Sequence, residues 1–536
     1  MIPQRYQSGA LPALLELWFL DLVPGPRSWD ANGGAHLPED RSMTDTPTSQ
    51  AEAPAAGARG GTAAPFAALL LAVLSFSLMQ TMVVPALPDL KREFDASTTS
   101  VSWVLSSFLL TASVATALLG RVGDMFGKRR VLIASLGVFA AGTLLAALSN
   151  SLPLLIAARA VQGVGSAAFP LAFGIVRDQF PRERVPVAIG LISSTFGIGF
   201  GVGLVIPGPI VDALNWHWIF WLGLIVILLG IAAVAAFIEE SSVRSPGRID
   251  WTGVVLLSGG VVALLLAISE GKSWGWASGG VIGLFVAAVA LLVVFAYVEN
   301  KVREPLIDMK LLRRPAVLTS HITALIIGFG MYGAFTLVPL LAQTPSAAGY
   351  GFGASVTESG LFMVPMAVTM LIASPLAGRI GAALGWKLPL VLACLIGMVG
   401  FVIYAVAHDT EWAMYAGSAV LGIGVGFAFA ALANLVVSAV DRSQTGEATG
   451  INTIMRTIGG SLGAQIAASL VAAKTIPGTL VPAESGYTTA FVMSAIALGV
   501  ATIAALAGPG KLWRKATAPA PAPAPAPAPS SGQPAA

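Results

Sequence analysis

Gly120-Arg-Val-Gly-Asp124-Met-Phe-Gly127-Lys-Arg-Arg130 is a short, basic, glycine-rich segment set between two apolar stretches, residues 101–120 and 131–149. Glycine permits tight backbone turns and close helix approach, so Gly120, Gly123 and Gly127 predict a compact junction. Asp124 can sit near a helix terminus and pair with a basic group, latching one state of the protein. Lys128, Arg129 and Arg130 can hold this face against anionic headgroups. The plainer reading makes the three cations only markers of membrane topology.

Outward from this junction the same pattern repeats. Of the 536 residues 56% are hydrophobic, mean hydropathy is +0.80, and only 11% are charged. A typical soluble domain carries about 25% charged residues. A surface this apolar needs lipid as its solvent, and a span takes roughly 20 apolar residues at 1.5 Å rise each. Fourteen spans fit: 66–86, 101–120, 131–149, 152–176, 185–208, 216–237, 251–271, 278–298, 316–342, 357–378, 388–407, 412–437, 447–473 and 487–508. Lys and Arg fall on alternate sides of them. Twenty lie on the side of Lys128 and the C-terminal tail, four (Lys91, Arg92, Lys272, Lys474) on the other. Short cytoplasmic loops favour Lys and Arg, so the chain is expected to be an all-α polytopic protein of the cell membrane with both termini cytoplasmic.

Composition also argues against other classes. A net charge of +3, scattered over short loops, does not suit a nucleic-acid surface. Cys394 is the single cysteine and excludes an intramolecular disulfide. The histidines (His36, His217, His321, His408) lie far apart, so no metal is expected. No cofactor is expected either. Acids are scattered, so no catalytic cluster is expected and the chain does not read as an enzyme. No span supplies the polar ring a channel would want.

Residues 1–65 hold no long apolar stretch, and Met43 is a candidate true start. Residues 509–536 begin with Lys511, Arg514 and Lys515 and pass into an Ala-Pro repeat from Ala518 to Pro529. Such a repeat favours extended geometry and forms no core. Between the ends lies an internal echo. Gly120-x3-Asp124-x2-Gly127-x-Arg129 recurs after the tenth span as Gly378-x3-Ala382-x2-Gly385-x-Lys387. Equivalent positions in two six-helix bundles would explain it. The expected domains are 66–237 and 316–508, with 238–315 a linker carrying two additional spans. Repeats of this kind are common in transporters, with the path between the halves.

The Gly120–Arg130 segment resembles the signature loop of the major facilitator superfamily, and Gly378–Lys387 resembles its second-half copy. Arg159-x2-Gln162-Gly163-x-Gly165 is similar to the family's buried-arginine motif in the fourth span. Gly199, Gly203, Pro207 and Gly208 belong to a glycine-rich stretch resembling the antiporter motif of the fifth span. Trp216–Phe220, and Arg456-x2-Gly459-Gly460-x2-Gly463, resemble the fourteen-span drug:proton antiporter group. The resemblance covers roughly 66–508 and implies alternating access, the glycines serving as gating elements and Arg159, Gln162 and Arg456 as coupling candidates. It departs at Gln80, where that group often carries an acid. The weak acidic candidates for proton coupling are then Asp89 and Glu447. Glu270, Glu358 and Glu447 are expected at interfaces, and Arg159 either faces a cavity or snorkels outward.

A substrate cavity is expected between the bundles, mostly apolar with a few polar groups. Gln80, Tyr332, Gln343, Asn434, Asn452 and Gln465 are its candidate polar residues, each equally able to act as helix-packing glue. Such a lining suits hydrophobic or amphipathic drugs exported in exchange for protons. Rival readings are export of an endogenous metabolite or lipid, and uncoupled facilitation or import. The expected partners are a small-molecule substrate, protons and membrane lipid, and the protein is expected to function as a monomer.

Overall fold

The computed structural model describes residues 62–508, apart from 246, 303, 304, 478 and 480. The candidate start at Met43, nearly all of the 1–65 region and the 509–536 tail lie outside the described residues. Within them the regular structure is helical, with one isolated β-bridge between Thr475 and Pro482.

Fourteen long elements follow in order: α1 (Ala63–Thr81), α2 (Thr98–Phe126), α3 (Lys128–Ala147), α4 (Leu152–Gln179), α5 (Val185–Val205), α6 (His217–Phe237) and α7 (Trp251–Trp274). Then come α8 (Gly279–Glu299), α9 (Pro315–Gln343), α10 (Thr357–Leu384), α11 (Lys387–Ala407), α12 (Glu411–Ala439), α13 (Thr445–Ala472) and α14 (Glu484–Ala507). Their starts carry the expected chemistry. Ser97, Asp250 and Ser278 cap backbone N–H groups of α2, α7 and α8, and Ser355 with Glu358 forms a reciprocal capping box before α10.

Thirteen of the elements are long and apolar enough to cross a membrane. The exception is α13, which spans 28 residues but carries Glu447, Asn452 and Arg456. All three side chains are buried. They meet protein, so α13 does not need the apolar surface that α8 presents at Val286, Val289 and Val293.

Several boundaries differ from expectation. The second span runs on to Phe126, so the Gly120–Val131 connection shrinks to a turn at Gly127, where φ is +113°. The fourth continues to Gln179 through a tighter 3-10 stretch at Gly163–Ala167. The fifth ends at Val205, and Pro207 opens a separate short helix, Pro207–Ala213. Proline is at home in a first turn, where its missing N–H has no partner to lose.

The most extensive contacts joining the first six helices to the last six set α5 along α10 and α2 along α13, and α5 also meets α12 and α4 meets α13. The α7–α8 pair stands beside the second of these. Val261 and Leu265 of α7 pack against Ala117 of α2 and against Ile454 and Ile458 of α13.

Candidate functional site

The closed end of the molecule is built around the Gly120–Arg130 junction. A Cβ on Gly120 would lie 2.4 Å from the Gly446 carbonyl oxygen, so α2 and α13 touch backbone to backbone. One turn on, the Glu447 N–H donates to Asp124 Oδ2 at 3.1 Å. Arg121 lies 3.5 Å from the Glu447 carboxylate, whose Oε1 also accepts the Asp308 N–H at 2.9 Å. Glu447, in the first turn of α13, is therefore buried in this contact between the halves.

The cations of the junction do more than mark topology. Lys128 is fully buried, 3.4 Å from Asp124 and 2.8 Å from Asp178. A buried lysine is tolerated only when paired in this way. The Arg129 and Arg130 N–H groups donate to the Glu240 carboxylate at 3.2 and 3.1 Å, and the Arg129 guanidinium donates to Ala235 O at 2.8 Å. Arg177 of α4 reaches the other half, donating to Val440 O at 2.6 Å and Thr445 Oγ1 at 2.7 Å. Asp178, Glu240 and Arg177 were not picked out from the sequence; an acid at the end of each of two basic connections was the available signal.

The echo is real in three dimensions. Gly385 has φ +98°, matching Gly127, and a Cβ on Gly378 would lie 2.5 Å from Pro186 O, as that on Gly120 would from Gly446 O. Chemistry is not repeated: Ala382 is exposed, and the Lys387 ammonium donates to Gly508 O at 2.8 Å. Asn434 belongs to this α5–α10 region, donating to Pro186 O at 3.2 Å, and does not line the cavity.

The glycines of α5 serve two neighbours. Gly197 and Gly201 pack against Met370 and Ala367 of α10, while Gly199 and Gly203 pack against Ser77 and Thr81 of α1. Residues four apart share a helix face, so the run presents two smooth stripes. The Thr81 hydroxyl donates to Gly199 O at 2.7 Å. Gly208 lies against Thr357, beyond the end of α5.

A cavity of about 980 Å³ occupies the space between the halves. It extends from mid-helix, at Thr116 and Phe169, to the end of the molecule remote from Asp124, at Val84, Ser102, Gln343 and Ser359. Of the expected residues, Gln80, Arg159, Tyr332, Gln343 and Gln465 line it. Asn452 does not; it is buried against His321, with Nδ2 3.3 Å from the ring Nδ1. Asp89 is also absent from the lining, and pairs with Arg92 on the short helix Leu87–Glu93.

Arg159 does not snorkel. Its guanidinium is fully buried, donates to Val104 O and Met79 O at 3.1 Å each, and stacks 4.1 Å from the centre of the Phe108 ring. Gln162 supports it from behind the wall, accepting from Arg159 at 2.7 Å and donating to Thr143 at 2.9 Å. Arg456 is likewise buried outside the lining, over the Phe429 ring at 4.0 Å. The acid that does line the cavity is Glu270, 3% exposed near the end of α7. It lies near the end of α7, as expected, and the packing of α7 against α2 and α13 turns it into the cavity.

The Major Facilitator Superfamily profile matches residues 69–464. Multidrug transporter protein MdtP of Bacillus subtilis is 28% identical over 395 residues, covering 73% of this chain and 72% of that protein. The tetracenomycin C resistance and export protein of Streptomyces glaucescens is 28% identical over 354 residues, covering 66% and 65%. An uncharacterised MFS-type transporter of Mycobacterium tuberculosis is 31% identical over 407 residues, 74% of this chain, which spans 57% of that relative's length. The crystal structure of the human organic anion transporter MFSD10 superposes with a TM-score of 0.61 at 16% identity, covering 83% of this chain and all of that one.

Proposed function

The chain belongs to the Major Facilitator Superfamily, whose members are transporters rather than enzymes, and from that premise we propose that it exports hydrophobic or amphipathic small molecules across the cell membrane in exchange for protons. The observation that carries the reading is the pairing of a mainly apolar cavity at one end with the Asp124–Glu447 contact at the other. A pathway open on one side and shut on the other is one state of alternating access. The halves 66–237 and 316–508 are the bodies that rock, with α2 against α13 and α5 against α10 as their sliding contacts. Twenty Lys and Arg against four support a cytoplasmic Asp124 end. On that orientation the cavity faces outward, and α13 also crosses the membrane, which brings the crossings to fourteen.

Gating falls to the residues that make the shut end: Gly120, Asp124, Lys128, Gly378 and their partners. Opening that end breaks the Glu447–Asp124 bond and the Arg177 bonds to 440–445, so each stabilises one state and not the other. Freed from that contact, Glu447 and Asp124 become available to exchange protons with the cytoplasm. The relatives named for multidrug and tetracenomycin export support the substrate class. Everted membrane vesicles given an imposed pH gradient test the reading with amphipathic dyes. Substrate-dependent dissipation of the gradient, and uptake lost when the gradient is collapsed, are expected. Uptake unchanged without the gradient rejects proton exchange; absence of any substrate-dependent flux rejects the exporter.

A further inference from the structure

We propose that Glu270, at the tip of the additional helix α7, is the site that selects cationic amphiphiles, the cation resting between its carboxylate and the aromatic lining of the cavity. The inference rests on the reading of the cavity as a small-molecule site.

Three observations carry it. First, Arg159 and Glu270 are the ionisable side chains of opposite formal sign in the lining, and their surroundings differ. Arg159 is held by two backbone carbonyls, by Gln162 and by the Phe108 ring, through Nε and Nη1, while its Nη2 has no partner among the described residues. Glu270 accepts one hydroxyl, from Ser273 of its own helix at 2.5 Å, and among the described residues no basic side chain pairs with it. A carboxylate can accept about four hydrogen bonds, so Glu270 retains capacity for a guest.

Second, α7 is placed to deliver the group. Its apolar stripe wedges between α2 and α13, and its last turn turns Ser269, Glu270 and Ser273 into the cavity. A buried acid is costly unless it meets a hydrogen-bonding or charged partner, so Glu270 is expected to face a cavity or a partner. Third, Phe76, Phe169, Phe196, Tyr332 and Phe335 also line the cavity. Aromatic faces attract cations within about 6 Å, most strongly when desolvated. An apolar cation is therefore stabilised by ring faces and one carboxylate together, and a neutral molecule of the same shape by the rings alone.

Binding to the full-length protein in lipid nanodiscs tests this with three probes of similar bulk: tetraphenylphosphonium, triphenylphosphine oxide and tetraphenylborate. Glu270→Gln keeps the size of the side chain and its ability to accept from Ser273. It should weaken tetraphenylphosphonium about ten- to hundred-fold, the range for losing a charge-assisted contact, and leave the neutral oxide within about two-fold. Glu270→Asp should retain the cation preference. Unchanged cation binding in Glu270→Gln overturns the proposal, as does equal loss of cation and neutral probe, which would make Glu270 a wall element. Preference of the wild type for tetraphenylborate also overturns it, in favour of Arg159. Failure of the wild type to bind any of the three rejects the small-molecule cavity itself. An independent readout needs no change at Glu270. Ser273→Cys, labelled from outside, should be protected by tetraphenylphosphonium and not by the oxide; the native Cys394 is buried and does not interfere. Equal protection by both would sink the assignment.

Discussion

The Gly120–Arg130 junction and its copy at Gly378–Lys387 share a backbone and differ in chemistry. Both turn at a glycine with positive φ, Gly127 at +113° and Gly385 at +98°. Both place a glycine seven residues earlier against the backbone of the opposite half, Gly446 in one case and Pro186 in the other. Only the first copy carries a buried acid, a buried lysine and a further carboxylate around the turn. Under the proposed rocking of the halves, the repeated geometry serves close approach and sliding in both, and the charge gathered at one seam serves as a single latch biasing the equilibrium between states.

The largest effect should come from the shared feature. Gly120→Ala and Gly378→Ala each push a methyl to about 2.4–2.5 Å from a backbone oxygen. Backbone cannot give way as a flexible side chain can, and overpacking costs roughly 1–3 kcal/mol. Alanine favours the helix itself by about 1 kcal/mol, so loss of the close contact, not of the helix, should dominate. Spin-label distances across the basic end should report it open, with the ratio of states shifted about 5- to 150-fold. Equal effects of the two variants sharpen the idea that the copies share one mechanical role; an effect of Gly120→Ala alone breaks it.

A smaller and one-sided effect is expected from Asp124→Asn. The amide still accepts the Glu447 N–H, and Lys128 keeps Asp178 at 2.8 Å. What is lost is the charge of a buried acceptor, and hydrogen bonds to charged groups are worth about 1.5–3 kcal/mol against about 1 for neutral ones. Turnover in vesicles should fall about ten-fold, with substrate affinity changed less than two-fold. A loss of affinity equal to the loss of rate would place Asp124 in binding and not in the latch.

The difference between the copies also explains what was legible in the sequence. Runs of apolar residues declare spans because lipid offers backbone groups no partner, and glycine at fixed offsets declares a turn because other residues rarely take positive φ. Both signals are local, and both recur. The charges at the seam are not local. Asp178, at the end of α4, and Glu240, just after α6, reach Lys128 and Arg129 from 50 and 111 residues away, and no spacing announces that. Polar residues inside spans were harder still. Gln80 and Gln465 face the cavity while Asn434 and Asn452 tie helices together, and composition treats all four alike. That Glu270 lines the cavity was not legible, because it depends on the neighbours of α7.

Restoring the missing acid should do least. Ala382 occupies the offset of Asp124, so alignment alone suggests that Ala382→Asp would build a second latch. The environments argue otherwise. Asp124 is fully buried, with Lys128 one turn away, the Glu447 N–H aimed at it and its own carbonyl accepting the Ser245 N–H. Ala382 is exposed, and the Lys387 ammonium is directed to Gly508 O. An aspartate in water gains little from such a neighbour, and surface substitutions away from special features fall within about 0.5 kcal/mol. Ala382→Asp should leave turnover and the ratio of states within about two-fold of the parent. In the Asp124→Asn background it should rescue nothing. Recovery of turnover in the double variant would mean that either seam can carry the latch, and that the asymmetry of charge is an accident of sequence without mechanical consequence.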